Sequence, residues 1–285
     1  MLRIDAHQHY WRYQPQHYPW IDDGMAVLQQ DFGPAQLQPL LQQHRLDGAL
    51  LVQARHSEAE NAGLLAQAAQ LDGVCGVVGW LDITAPALDE RLAARHPLLC
   101  GVRHLVQDEP DPADWLALPA VQRGMGLLQR HGCVYDLLVT HRHLAAAAAF
   151  AARHDDHWLV LDHLGKPDVA RGAAHWARQI APLAALPHVA CKLSGLITEV
   201  PGGHWQAGQL LPFFEAALEA FGPQRLMFGS DWPVCLLAGE YQQVYQLCEQ
   251  GVATLSPSQQ AAIWGGTACR VYGLTGSDDE FISQR

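Results

Sequence analysis

Eight times along the chain a short apolar run gives way to a stretch with helical spacing, and this alternation narrows the possible folds more than any other feature. Runs rich in Val, Leu and Ile lie at about residues 2–9, 48–54, 74–83, 99–106, 132–139, 158–164, 189–196 and 225–231, and each reads as a strand ending near polar residues. Between them, helices are predicted at Pro34–His44, Ala59–Leu71, Ala87–Arg95, Ala120–His131, His143–His154, Trp176–Leu186 and Pro212–Phe221. An open doubly wound sheet alternates in the same way. The count of eight favours a closed α/β architecture, the (β/α)8 TIM-type barrel, which 285 residues suit. No repeat, linker or compositional shift interrupts the pattern, so residues 1–285 are predicted to form one domain. Glu109–Pro112 and Pro201–Gly203 read as loops over the barrel mouth, and the end carrying Asp278, Asp279 and Glu280 as a polar tail.

The first strand ends Ile4-Asp5-Ala6-His7-Gln8-His9, and residues two apart on a strand point to the same side. Two neighbouring imidazoles at the C-terminal end of a barrel strand are placed to hold a divalent metal. An H-x-H pair is weak evidence in a chain with 16 histidines. Two distant segments supply context: Leu159–Pro167 carries Asp162, His163 and Lys166, and Arg225–Pro233 carries Asp231. In a barrel all such strand ends converge on one mouth, so His7, His9, His163 and Asp231 are predicted to meet in a single site.

Five ordered motifs, D-A-H-Q-H at 5–9, G-V-R-H at 101–104, L-D-H-L-G-K-P at 161–167, K-L-S-G-L at 192–196 and F-G-S-D-W-P at 228–233, span nearly the whole chain. Together they resemble the lactonase branch of the amidohydrolase superfamily, which includes hydrolases of sugar lactones and of muconate-type and pyrone dicarboxylate lactones. The resemblance implies hydrolysis of a small lactone, with L-fuconolactone, L-rhamnonolactone or a galactonolactone as candidate substrates. Binuclear members build a second metal site from a carboxylated lysine or glutamate on strand 4 and a histidine on strand 5. Here those strands offer Arg103 with His104, and Tyr135 with Asp136, which favours one divalent ion, zinc first and manganese second. Some lactonases of the branch work without metal, so metal-independent catalysis stays open.

Lactone opening needs a nucleophilic water, a base and positive charge at the developing oxyanion. Asp231 is the candidate base and a candidate ligand with His7 and His9; His163 is either a further ligand or a donor to the substrate. Arg103 is the candidate oxyanion partner, with an ion pair to a nearby Asp as the alternative. Trp11, Gln53, Arg55, Lys166 and Trp232 are candidate substrate contacts, with Tyr13, Trp20 and His56 in the same group. Asp162 can orient His163, although alternation along a strand would send it to the opposite side, into a structural salt bridge. Lys192 points either toward a substrate oxygen or into a buried pair with an acid. Ser194 lies in K-L-S-G-L rather than a G-x-S-x-G elbow, which argues against a serine hydrolase.

Composition excludes several partners. The net charge is -11 and only Lys166 and Lys192 represent lysine, which does not suit a nucleic-acid surface. No run of 18 apolar residues is available to span a membrane. Residues 1–9 already read as a strand, leaving no room for a signal peptide, so a cytoplasmic location is expected. The seven scattered cysteines are predicted to be reduced core thiols. A small-molecule lactone is the expected partner, and a homodimer is one option for assembly. A dicarboxylated lactone would demand more cations than Arg103, Arg55, Arg142 and Lys166 provide. Decarboxylation of an aromatic acid is the competing reaction class, and a non-enzymatic ligand-binding barrel is a third reading.

Overall fold

The computed structural model describes residues 1–274, apart from the side chains of Val74 and Cys75. Eight parallel strands, β1 (Ile4–Gln8), β2 (Gly48–Val52), β3 (Val74–Gly79), β4 (Leu99–His104), β5 (Val134–Leu137), β6 (Leu159–Leu161), β7 (Val189–Leu193) and β8 (Leu226–Phe228), pair in sequence order. The ring closes between its first and last members: Asp231 N donates to His7 O at 2.8 Å and His9 N to Trp232 O at 2.7 Å. This is the expected (β/α)8 barrel.

Both faces of the strands are apolar because each strand separates two cores. Ile4, Ala6, Leu50, Val52, Val78, Val134, Val160, Ala190 and Met227 form one buried cluster, against which Cys100 of β4 packs. Their neighbours, such as Ala49, Leu51, Val77, Leu161 and Phe228, belong to the larger core shared with the helices. The crossover helices are α1 (Pro34–Gln43), α2 (Glu58–Ala68), α3 (Leu88–Ala93), α4 (Pro112–Ala117), α5 (Pro119–Arg130), α6 (Leu144–Ala151), α7 (Ala173–Ala184) and α8 (Ala207–Phe221). In α8, Leu210, Phe213, Phe214, Ala217 and Phe221 recur at three- and four-residue intervals and are all buried, which makes one apolar stripe against the barrel.

Three helices after β8, α9 (Tyr241–Val252), α10 (Pro257–Ala261) and α11 (Thr267–Tyr272), were not anticipated, and neither was α4. The Pro-rich passage before α4 reads as loop, but Pro112 occupies the first turn and Asp111 caps it by accepting from Asp114 N. Ala268, Val271 and Tyr272 of α11 join the inner cluster. Cys133, Cys191, Cys235 and Cys248 are buried and Cys100 and Cys269 half-buried, all as free thiols. Among the described residues no helix is long and apolar enough to cross a membrane. Asp278, Asp279 and Glu280 lie outside the described residues.

Candidate active site

The end of β1 and the segment after β8 place three acceptor atoms in a triangle. His7 Nε2 and His9 Nε2 are 3.2 Å apart, and Asp231 Oδ1 lies 3.8 Å from the first and 3.4 Å from the second. Asp231 itself sits in a left-handed conformation, φ 57°, with its carbonyl accepting from Cys235 N at 2.8 Å. Buried Asp5 braces the seam from behind by accepting from Ser230 N at 2.8 Å, Tyr241 OH at 2.9 Å and His7 N at 3.2 Å. Burial still pushes its carboxyl up to about 6.

Hydrogen bonds on the far side of each ring decide which electron pairs face the triangle. His9 Nδ1 lies 2.8 Å from Val52 O, which can only accept, so Nδ1 carries the proton and Nε2 presents a lone pair. His7 Nδ1 lies 3.3 Å from Asp162 Oδ1, which accepts, and 3.2 Å from Lys192 Nζ, which donates; because Lys192 already bonds Asp136 and Asp162, we assign the proton to Nδ1, facing Asp162. Two imidazole nitrogens and a carboxylate oxygen thus face one another; Arg103 Nη1, 3.2 Å from His7 Nε2, offsets part of their mutual repulsion, and a cation between the three would offset the rest. The edges of a tetrahedral site with bonds of about 2.1 Å measure roughly 3.4 Å, which the observed triangle matches. His7, His9 and Asp231 therefore fit a divalent metal, with a fourth position open.

His163 stands beside the triangle. Its Nδ1 is 2.9 Å from Ser194 Oγ and 3.9 Å from Asp231 Oδ2, and its ring packs edge-on against His7. Burial drives its pKa down to about 4, so the ring is neutral at pH 7. Burial opposes ionisation of Asp231 as well, but the imidazoles around it, His163 foremost with His7 and His9, outweigh it and hold the carboxyl below its ordinary range.

Beneath these groups lies a buried charge cluster. Arg103 Nη1 donates to Asp162 Oδ2 at 2.9 Å and its Nη2 to the Gln53 carbonyl, while Lys192 Nζ bonds Asp136 and lies 3.0 Å from Asp162 Oδ1. Although burial opposes its ionisation, Lys192, His7 and Arg103 keep Asp162 well below the usual carboxylate range. Arg103 thus has the acidic partner that the sequence left as an alternative, yet it also lines the cavity above and keeps Nε unpartnered.

That cavity, about 330 Å³, opens beside the triangle. His9, Arg103, His163, Lys166 and Asp231 line it, together with Trp20, Met25, Gln107, Asp108, Glu199, Val234 and Leu237 among others. Trp11, Gln53, Arg55 and Trp232 do not. Trp11 is buried with its indole N–H on Gln30 O, Trp232 packs on Phe32, Arg55 lies over the Tyr18 ring, and Gln53 exchanges hydrogen bonds with Arg103. Trp11 and Arg55 belong to a separate cavity of about 510 Å³ near α1 and α2. Glu199, Gln107 and Asp108 lacked any sequence signal beyond their position after strands 7 and 4.

The histidine–lysine segment after β6 owes its shape to an unusual turn. His163, Leu164, Gly165 and Lys166 are all left-handed, with φ of 53°, 56°, 67° and 48°. Trp176 Nε1 pins the turn by donating to Leu164 O at 2.9 Å. Gly195 makes room for the result: a Cβ there would lie 2.6 Å from His163 Nδ1, at φ +66°. Gly195→Ala should therefore displace the His163 ring, lowering kcat at least about tenfold and stability by roughly 1–3 kcal/mol. Steady-state assays and urea denaturation check it, and unchanged kcat would place His163 outside the reaction.

Barrel, triangle and cavity suit a hydrolase site able to take a metal ion, and the chain belongs to the amidohydrolase family, whose pattern matches residues 4–274. It is 48% identical to an L-fucono-1,5-lactonase of Burkholderia multivorans, over 96% of each chain. An L-fucono-1,5-lactonase of Burkholderia ambifaria is 38% identical, again over 96% of each. A crystal structure of an amidohydrolase from Burkholderia multivorans with bound zinc superimposes with a TM-score of 0.93 at 48% identity, covering 96% of this chain and 100% of that one.

Proposed function

We propose that the chain hydrolyses a sugar lactone, L-fuconolactone in particular, to its aldonic acid. The observation that carries this reading is the triangle of His7, His9 and Asp231 beside a cavity lined by both charged and apolar side chains. The names of the two Burkholderia relatives support the substrate. So do the apolar lining residues Met25, Val234 and Leu237, which come from neighbouring turns, since L-fuconolactone carries a methyl group where galactonolactone carries a hydroxymethyl. Its product, a sugar acid, places the reaction in carbohydrate metabolism. A dicarboxylated lactone is disfavoured because Arg103 is neutralised by Asp162 and Lys166 is the cavity's other strong cation.

A divalent ion held by His7, His9 and Asp231, with zinc the favoured identity, would supply Lewis-acid charge at the carbonyl end of the cavity. Asp231 takes a proton from water as the water oxygen bonds to the lactone carbonyl carbon. Arg103 holds positive charge near the oxygen that becomes anionic, and neutral His163 hydrogen-bonds the substrate. As the bond from the carbonyl carbon to the ring oxygen breaks, Asp231 returns the proton to that oxygen, leaving a hydroxyl and a carboxylic acid, which ionises at neutral pH and releases the second water proton to solvent.

The test is acid release from L-fuconolactone, L-rhamnonolactone and galactonolactone, followed with a pH indicator. L-fuconolactone should be opened fastest, and a chain that opens none of them is not a sugar lactonase. Chelation should lower the rate at least about tenfold, with recovery on adding Zn2+ or Mn2+. Full activity in metal-free protein would remove the metal from the reaction.

A further inference from the structure

The cavity holds a charged group that the reaction does not use. Glu199 closes a short turn, Leu196–Glu199, that follows β7; Gly195 starts it in a left-handed conformation and Thr198 Oγ1 fastens it to Gly195 O at 2.7 Å. The Glu199 side chain lines the cavity with Lys166 and Asp231. Among the described residues, its carboxylate has no hydrogen bond and no ion pair. Burial and the charge of Asp231 raise its pKa, and Lys166 only partly offsets them.

An ionised carboxylate offers two acceptor oxygens and no donor, so it needs donors from elsewhere. Hydroxyl groups of a sugar supply them, and a second carboxylate cannot. The charge balance points the same way. Arg103 is matched by Asp162, and Lys166 shares the cavity with Asp231, Asp108 and Glu199, so even a dication at the triangle leaves no surplus positive charge for an anionic substrate.

We propose that Glu199 is a specificity-determining residue, accepting hydrogen bonds from the hydroxyls of a neutral sugar lactone and turning away lactones that carry a carboxylate. This rests on the lactonase reading above. Once bound, the substrate hydroxyls satisfy the carboxylate, and the interaction discriminates by attraction toward one class and repulsion of the other.

The experiment compares kcat/KM for L-fuconolactone and for a galactarolactone, which bears a carboxylate where L-fuconolactone bears a methyl. In Glu199→Gln the value for L-fuconolactone should fall about 10- to 100-fold, as expected when a charged hydrogen bond is weakened. The galactarolactone should lose less or gain, so that the ratio of the two falls at least about tenfold. Glu199→Asp, which keeps the charge, should keep the exclusion. Thermal midpoint and bound zinc, measured on each variant, report whether fold and metal site survive. An unchanged ratio in Glu199→Gln, or exclusion lost in Glu199→Asp, overturns the assignment. A parent enzyme that opens neither lactone overturns the lactonase reading and the assignment with it, whereas an active parent with an unchanged ratio removes only Glu199.

Discussion

Replacing Asp231 by Asn should cut turnover of the lactone by about 10² to 10⁴, the share of rate that a positioned general base ordinarily supplies. The amide keeps the volume of the carboxylate and can still bond Cys235 and the seam through its backbone, so the barrel should persist. What it loses is the ability to take a proton from water. One corner of the acceptor triangle also weakens, because Asp231 Oδ1 becomes an amide atom 3.4 Å from His9 Nε2. Bound metal must therefore be measured alongside kcat, at saturating Zn2+. Turnover within a few-fold of the parent under those conditions would assign the base elsewhere, with His163 the first candidate.

The second large effect falls on stability. Lys192 is wholly buried between Asp136 and Asp162, and these acids raise its pKa despite the opposing effect of burial. Lys192→Met removes the cation and leaves two buried carboxylates with Arg103 as the remaining strong partner of Asp162. Removing one member of such a pair costs about 3–5 kcal/mol. The sign with pH follows from the acids. Burial already raises the Asp136 carboxyl, and loss of Lys192 pushes both acids upward, so the penalty is full at high pH and shrinks as pH falls and they take up protons. Urea midpoints at about pH 5 and 8 separate this from simple loss of packing, which would be independent of pH. A midpoint equal to the parent at both would mean that the cluster contributes no net stability.

Much of the barrel is legible in the sequence because both cores demand apolar residues along each strand, and eight such runs leave few other architectures. The site is legible where chemistry and periodicity coincide. His7 and His9 meet Asp231 because strand ends of a barrel converge, whatever their separation in sequence. Asp162 shows where periodicity fails. Alternation would send it away from His163, but β6 ends at Leu161 and the chain turns left-handed, so both side chains enter the centre. The aromatic residues fail for a different reason. Trp11 and Trp232 follow strand ends, yet the loops that carry them fold back and pack the rings among Phe32, Tyr18 and Tyr10, leaving Trp20 to reach the cavity. Loop paths depend on tertiary packing that no local pattern encodes. Glu199 was invisible on the same account.

The seam between β1 and β8 gives the acceptor triangle a second consequence. Its histidines come from one side of the closure and Asp231 from the other, so an ion bound there staples together the two ends of the sheet. During synthesis His7 and His9 emerge long before Asp231, and all eight strands precede it, so the staple has nothing to grip until the last of them is made. Zinc cannot help the barrel assemble until the chain is nearly finished; afterwards, by mass action, it should slow reopening at this joint above all others. Backbone amides of His9 and Asp231 should accordingly show the greatest gain in hydrogen-exchange protection when metal is added.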